Sequence, residues 1–547
     1  MNFIKNISKL KGKHNGSKRQ FHSPKNNKFS LNKVSEEAIS ENVDLNKTKI
    51  KEIFKSDMDL IIRGFQTLNN KKAVVVFIQS LVNKEVINRD ILEPLMNFKL
   101  QDHSLNDFTA SNTKNEVLTK ILHHNGVSCA DTFSNVVNSI LLGCTVVIID
   151  DLTEAFIIDT HKQEKRSITQ PEQERVIRGP REGFIEQLDT NISLLRYRLP
   201  VPDFRIKEMA IGEITKSKVV VLFLENIANG DLVKEVENRL QQIQIDRILD
   251  SGYIEELIQD NPKSPFPQIQ NTERPDKVVG ALLEGRVAIM VNGSPFALIA
   301  PATFNQFLQT VEDYNERSLY SSLIRMIRQL SLILSFVIPS VYVAVISFHP
   351  ELIPTRYMVA VTGGRAGVPV IIAIEVFLME IIMEVLREAT IRMPQLIGGA
   401  LSIVGVLIIG QASVEAGFIS PFTVVIIALT TLSSFTTPAY NLAVTIRILR
   451  FPLLIFSSAF GLFGLMMCLI LIINHMLSLK SFGLPYMSPF SPSNWDELKD
   501  SFIRSPIRWL LDRPESLRPK NRRRATDIDF EHGEPLDDSR KRARSEE

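Results

Sequence analysis

Cysteine is scarce in this chain: 547 residues include three, Cys129, Cys144 and Cys468. They fit neither a disulfide framework nor the ligand spacing of a zinc site, so no bridge or metal is expected from them. Long uncharged runs are absent before Gln329, which marks the amino-terminal half as soluble and the rest as a membrane half. The opening MNFIKNISKL lacks the apolar core of a secretory signal, so the soluble half is expected on the cytosolic side. Acid is missing from Met1 to Val34, where nine Lys or Arg sit among Asn and Ser. That composition predicts a disordered basic arm, solvated or attracted to anionic headgroups or nucleic acid.

Catalytic signatures are missing too. There is no GxxxxGK[ST] loop, and Gly363, Gly364 and Gly367 do not form GxGxxG. No GxSxG elbow or HExxH pair occurs, and the adjacent His123 and His124 would point different ways on a helix or strand. No catalytic residue, metal or cofactor is expected, and the chain does not read as an enzyme.

The soluble half alternates helical and strand patterns. KAVVVFIQSLVNKEVI (72–87) aligns with KVVVLFLENIANGDLV (218–233), setting Asn83 on Asn229, and LLGCTVVIIDD (141–151) aligns with LEGRVAIMVNG (283–293). The offsets differ by four residues, which predicts a diverged duplication into two α/β subdomains, 48–160 and 200–312. The connector between them, 161–199, holds Gly179, Pro180, Arg181 and Glu182. Here Gly179 and Pro180 are expected to start an amphipathic helix carrying Phe184, Leu188, Ile192 and Leu195 or Leu199 on one face. Glu182 in its first turn and Arg196 and Arg198 in its last would suit the helix dipole.

Asp313–Arg328 reads as an amphipathic juxtamembrane helix whose Arg317, Arg325 and Arg328 lie at the cytosolic boundary. The uncharged run Leu330–Phe348 can just cross a ~30 Å core at ~1.5 Å per residue, with Pro339 as a kink or hinge. After the expected turn TGGRAGVP, with hinge candidates Gly363, Gly364 and Pro369, a second segment runs from about Val368 to Leu386. Glu380, Glu384 and Glu388 form one stripe on it, with Glu375 about 140° away from Glu380 at ~100° per residue. Acids at this depth point to a pathway or a pairing site. In an oligomer the stripe would make rings that attract cations; otherwise the acids pair with Arg365, Arg387 or Arg392. Met393–Val414, Ala416–Ile446 and Phe451–Leu479 are the remaining apolar stretches of a transmembrane domain spanning 329–479. The tail, 480–547, has fourteen basic and thirteen acidic residues and is expected to be polar and largely disordered at its end. Basic residues do not settle which side it lies on.

Four long motifs occur in order: GPREGFIEQLDTNISLLRYRL, RAGVPVIIAIEVFLMEIIMEVLREATIRMP, GGALSIVGVLIIGQASVEAG and PAYNLAVTIRILRF, followed by RSPIRWLLDRPESLRP. Together they resemble the A-subunit family of spore germinant receptors, the GerA type, from about Ile50 into the tail. Departures are the VPVI at 368–371, where the family usually has VPFP, and Thr390 in place of a frequent Gly. The resemblance implies a multi-pass protein of the spore inner membrane that works with a transporter-like, nutrient-binding B subunit and a lipoprotein C subunit. It also implies a homo-oligomer of A subunits forming a nutrient-gated channel for monovalent cations. Glu380, Glu384 and Glu388 are then pore-lining candidates, and Glu375, Arg365, Arg387 and Arg392 intersubunit or pairing candidates. No nucleic-acid partner is implied, whereas membrane lipid is.

The expected fold is thus an α/β cytosolic region of two similar subdomains, preceded by a basic arm (1–47). An all-α polytopic bundle of four to five spans follows, re-entry of one being left open. A secondary transporter with a midplane site and a non-conducting scaffold for the B and C subunits are the alternatives.

Overall fold

The computed structural model describes residues 37–55, 57–67, 71–97, 127–161, 170–171, 174–392 and 410–524. Its amino-terminal half is one architecture built twice. The first repeat contains α1 (Val43–Phe54), β1 (Leu60–Gln66), β2 (Lys72–Ile78), β3 (Val127–Ala130), α2 (Phe133–Leu141), β4 (Cys144–Ile149) and β5 (Ala155–Asp159). The second contains α3 (Leu188–Arg198), β6 (Phe204–Ile211), β7 (Ser217–Leu224), α4 (Gly230–Gln241), α5 (Ser251–Ile258), β8 (Gln270–Thr272), α6 (Pro275–Glu284), β9 (Val287–Val291) and β10 (Ala297–Ala300). Both sheets are antiparallel, in the matching orders β1-β2-β4-β5-β3 and β6-β7-β9-β10-β8.

The central strands read as unbroken apolar runs because helices cover both faces of each sheet. Alternate residues of β2 divide accordingly: Val74, Val76 and Ile78 pack against α1 and α2, and Ala73, Val75 and Phe77 against the helical segment 84–97. In β7, Val220, Leu222 and Leu224 face α3 and α6, and Val219, Val221 and Phe223 face α4 and α5.

Equivalent residues do equivalent work in the two repeats. Asn83 and Asn229 each cap the helix that follows. Gly143 and Gly285 both take positive φ, 87° and 101°, between helix and strand. The Asp150 carboxylate accepts from Val43 N at the start of α1, and the Asn292 amide oxygen from Leu188 N at the start of α3. Buried Asn46 bridges the backbone of Ser40 (3.0 and 2.6 Å) as buried Asn191 bridges that of Ile185 (2.9 and 2.5 Å).

These pairs move the repeat boundaries. Helix α3 is the counterpart of α1 and belongs to the second repeat, not to a connector, and residues 37–47 belong to the first repeat, not to a free arm. The helix expected from Gly179 begins only at Leu188. Asn191 holds both backbone groups of Ile185, Phe184 N donates to Glu273 O at 2.8 Å, and the Arg274 guanidinium donates to Pro180 O at 2.9 Å. Those bonds take the backbone groups a helix would use, so GPREGF is an extended strap.

The carboxy-terminal half is helical: α7 (Ser318–Phe348), α8 (Thr355–Arg365), α9 (Ile372–Arg392), a turn of helix at 410–415, α10 (Pro421–Ser434) and α11 (Tyr440–Ser478). Among the described residues, α7 and α11 are the helices long and apolar enough to cross a membrane. Gly363 and Gly364 lie inside α8, so the expected turn is confined to 366–371, where Pro369 sits. Pro339 lies within α7. Most of Met393–Val414, and His123 and His124, fall outside the described residues.

Helix α11 is not one rod. Thr445 near its start donates to Pro265 O at 2.5 Å, and His475 near its end meets Ser264 Oγ at 2.9 Å. Thirty helical residues would span ~45 Å, so two ends on neighbouring residues require a reversal. It occurs at Gly461, with φ 62° and ψ −142°. The run Phe451–Leu479, expected as one span, therefore contains the hairpin's bend.

The tail does not stay apart from the repeats. Ser481 Oγ bridges Ala302 N and Gln268 O (3.0 and 2.6 Å), Arg513 Nε donates to Leu283 O (2.6 Å), and Lys520 N to Ile227 O (2.9 Å). Asp500 of the tail meets Arg325 of α7 at 2.9 Å, and Arg325 and Arg328 both meet Asp313 at 3.2 Å. Arg325 and Arg328 are thus buried in protein ion pairs instead of facing headgroups, and 480–524 is a folded strap on the second repeat.

A Cβ at Gly461 would lie 2.9 Å from Phe348 Cβ, besides occupying a backbone region nearly reserved for glycine. Gly461→Ala should therefore lower the thermal midpoint of the detergent-solubilised chain, with a loss of ~1–3 kcal/mol. Gly363→Ala, with open space around it in a helix, should leave the midpoint unchanged or raise it. Equal midpoints for Gly461→Ala and the parent would rule out the hairpin.

Candidate functional site

Helix α9 carries the acidic stripe, and its neighbours grade the environment along it. Glu375, in the first turn, has a fully buried side chain that accepts from Ser420 N at 2.5 Å, and Arg365 stands 3.7 Å away. Ser420 is the N-cap of α10, where Pro421 opens the helix, so the carboxylate sits at the positive end of that helix dipole.

One and a half turns on, Glu380 meets Arg450 of α11 at 2.6 Å, with 7% and 5% of the two side chains exposed. Glu384 is bound by Arg387 at 2.5 Å, with Arg447 3.9 Å away, and is 47% exposed. Glu388 pairs with Arg392 at 2.6 Å in the open. Every acid of the stripe thus has an arginine of the same chain beside it.

Arg447 and Arg450 were not singled out as site residues from sequence. Their three-residue spacing at the start of the last apolar stretch places both on one helix face, and that was the available signal. They and Arg387 meet Glu380 and Glu384 at a junction with the second repeat, beside a cavity of about 740 Å³. Arg387 stacks over Phe435 (5.5 Å) and Arg447 over Tyr440 (5.8 Å).

A second buried cluster joins the two repeats. Arg196 of α3, 1% exposed, reaches Asp57, lies 3.4 Å from Asp59 and donates to Phe204 O at 3.2 Å. Burial pushes the Asp59 carboxyl above its usual range even though Arg196 pulls it down. Arg205 adds bonds to the carbonyls of Ile53 and Phe54, so the end of α1 is clasped by the second repeat. Of the connector residues, Glu182 binds Arg198, whereas Arg181 has no part in either cluster.

Among the described residues, no group of three or more His, Cys, Asp or Glu could hold a metal ion.

The model of the Bacillus/Clostridium GerA spore germination protein family matches residues 48–516. The chain belongs to this GerA family. Spore germination protein KA of Bacillus subtilis (strain 168) is 41% identical over 483 residues, covering 88% of this chain and 87% of that protein. Spore germination protein GerLA of Bacillus cereus is 39% identical over 474 residues, covering 86% and 95%. The crystal structure of the N-terminal domain of the A subunit of the Bacillus megaterium spore germinant receptor GerK3 is 35% identical, covers 49% of this chain and 98% of that one, and superimposes with a TM-score of 0.38. The strap motif GPREGF and the stripe of α9 both lie within the GerA match.

Removing one partner of a buried pair leaves an uncompensated charge. Arg450→Ala in this GerA-family chain should cost ~3–5 kcal/mol in a denaturant or thermal titration. Glu380→Gln with Arg450→Gln should cost clearly less, and equal losses would show that the pair carries no coupling.

Glu255 of α5, held by Asn441 of α11 at 3.4 Å, is pushed from 4.5 up to about 7 by burial and by Asp250 nearby. A carboxyl raised on folding stabilises the protein below its unfolded value and loses that contribution as pH rises through the folded value. Stability should therefore fall as pH rises from 4.5 to about 7, and Glu255→Gln should flatten the slope. An unchanged pH profile in that variant would remove Glu255 from the junction's energetics.

Proposed function

We propose that the chain is the A subunit of a nutrient germinant receptor that triggers spore germination, acting with B and C subunits in the spore inner membrane. The observation that carries this is the GerA match over 48–516, with near-full-length identity to spore germination proteins. The repeats and the tail face the spore core. Their mutual contacts support a topology in which the repeats and the folded part of the tail lie on one side of the bilayer, with an even number of crossings, two of them the arms of the α11 hairpin. The A subunit assembles with further copies of itself into a nutrient-gated pathway for monovalent cations. In that assembly Glu384 and Glu388 are the accessible acids of α9, and Glu380 joins them only when Arg450 lets go. Pro339 is the hinge candidate within α7, and Gly363, Gly364 and Pro369 border the segment that aims α9.

A non-conducting scaffold is the second reading. It is favoured by the intrachain arginine beside each acid, which leaves the stripe neutralised without any neighbour.

Spores lacking this chain should fail to release cations in response to the nutrient that the complete receptor recognises, with recovery on complementation. Co-reconstituted A, B and C subunits should conduct cations when the nutrient is added, and Glu384→Gln with Glu388→Gln should cut conductance or selectivity several-fold. Unaltered currents in that variant would take the stripe out of the pathway. Silence of the complete, nutrient-loaded receptor would leave the scaffold.

A further inference from the structure

The cavity at the junction has no role in the reading above. Asn271, Thr272 and Phe296 of the second repeat form one wall, and the ends of α9 and α10 with the start of α11 form the others. Two arginines, Arg387 and Arg447, line it, and the Nε of each is buried without a hydrogen-bond partner. Arg447 is only 9% exposed. A buried guanidinium left with unused donors is costly, and its planar fork is shaped for an oxyanion.

The carboxylates of α9 do not supply that oxyanion to Arg447. Arg387, Arg447 and Arg450 face Glu380 and Glu384, of which Glu380 is taken by Arg450 and Glu384 by Arg387, with Arg447 a further 3.9 Å off. On the opposite wall Glu174 is held by Lys277 at 2.6 Å, and Glu273 is also engaged. Among the three arginines and the two acids of α9, Arg447 is thus the one without a carboxylate at hydrogen-bond distance. Most of the remaining lining surface is apolar, interspersed with Thr390, Thr431, Ser434 and Thr437, and Ile391, Leu432 and Phe435 remain 61%, 67% and 69% exposed. Two arginines with unused donors on one wall and an exposed apolar rim beside them match a molecule with an anionic head and an apolar body.

We propose that this cavity binds the phosphate-type oxyanion of an amphiphile, its head on Arg387 and Arg447 and its apolar part along Leu432 and Phe435. The inference rests on α7 to α11 being a membrane bundle. In that setting the cavity lies where the helices meet the core-side repeats, the level at which basic pockets between helices take anionic lipid heads. An anionic phospholipid and free inorganic phosphate share the head chemistry; the apolar rim favours the lipid.

Native mass spectrometry of the detergent-purified full chain tests this with three probes: phosphatidylglycerol, phosphatidylcholine and inorganic phosphate. Phosphatidylglycerol should be retained at concentrations at least ten-fold lower by the parent than by Arg387→Gln with Arg447→Gln. Phosphatidylcholine should not separate the two proteins. Arg392→Gln, on the same helix but outside the cavity, should bind like the parent. Where the double variant fails to fold, Thr431→Trp fills the cavity and leaves both arginines in place, and it should abolish phosphatidylglycerol retention. Retention of phosphate alone with parent-like arginine dependence assigns the site to the free ion. Equal phosphatidylglycerol retention by the parent, the glutamine pair and the tryptophan variant overturns the proposal. Recovery of the chain in buffer without detergent would instead overturn the membrane reading on which it rests.

Discussion

The structure depends on a buried ionic knot where its three parts meet. Asp313, which ends the second repeat, receives Arg325 and Arg328 of α7, and Asp500 of the tail receives Arg325 again. Arg328 also donates to Leu308 O at 2.7 Å, and Tyr314 donates to Asp500 at 2.6 Å. Arg325 is 0% exposed, so its charge has given up its water entirely. Such a group is tolerable only while every partner is in place, and losing one costs ~3–5 kcal/mol. The knot therefore makes the position of the first long helix, the last turn of the soluble half and the tail a single condition. Burial raises the Asp500 carboxyl and the Tyr314 hydroxyl, whereas at Arg325 burial is outweighed by Asp500, Tyr314 and Asp313, which hold the guanidinium above its usual value.

The same condition gives the tail its direction. A chain entering the bundle at Ser318 and leaving it at Ser478 must return to the repeats for Asp500 to reach Arg325. The hairpin in α11 provides that return, and its bend is seated against Phe348 and His349 at the far end of α7. Ser264, Pro265 and Phe266 receive both ends of α11, so the loop before β8 holds the two arms together from the repeat side.

Sequence patterns carried the strands well because a strand buried on both faces must be apolar throughout, and the two KxVVxF runs are β2 and β7. The duplication is legible for the same reason, and the alignment that sets Asn83 on Asn229 pairs two residues that each cap the helix following them. What stayed hidden depended on contacts distant in the chain. The strap at 179–187 carries a helical apolar spacing, yet Asn191 and Glu273 claim its backbone groups. The hairpin was masked because an apolar run shows depth without direction. Its only trace was length: the apolar run Phe451–Leu479 exceeds the ~20 residues needed for one crossing, with Gly461 and Gly464 near its middle. The stripe of Glu380, Glu384 and Glu388 was legible from spacing alone. Its partners on α11 were not, because nothing local says that two helices fifty residues apart will touch.

That pairing sets the scale for any switch built on α9. The Glu380–Arg450 contact joins α9 to the outgoing arm of α11, and both side chains are more than nine-tenths buried. Separating them costs ~3–5 kcal/mol unless each finds another partner. Moving a two-state protein from almost wholly closed to almost wholly open takes ~5.5 kcal/mol of differential binding. The two quantities are of one size, so this single pair is strong enough to hold a proposed gate shut and weak enough for partner binding to overcome. Glu388, paired in the open at the other end of the stripe, cannot play that part, since an exposed pair contributes ~0–1 kcal/mol. For the proposed gate, the gradient of burial along α9 then becomes a gradient of control, with its strong end where Glu380 of α9 meets Arg450 of α11.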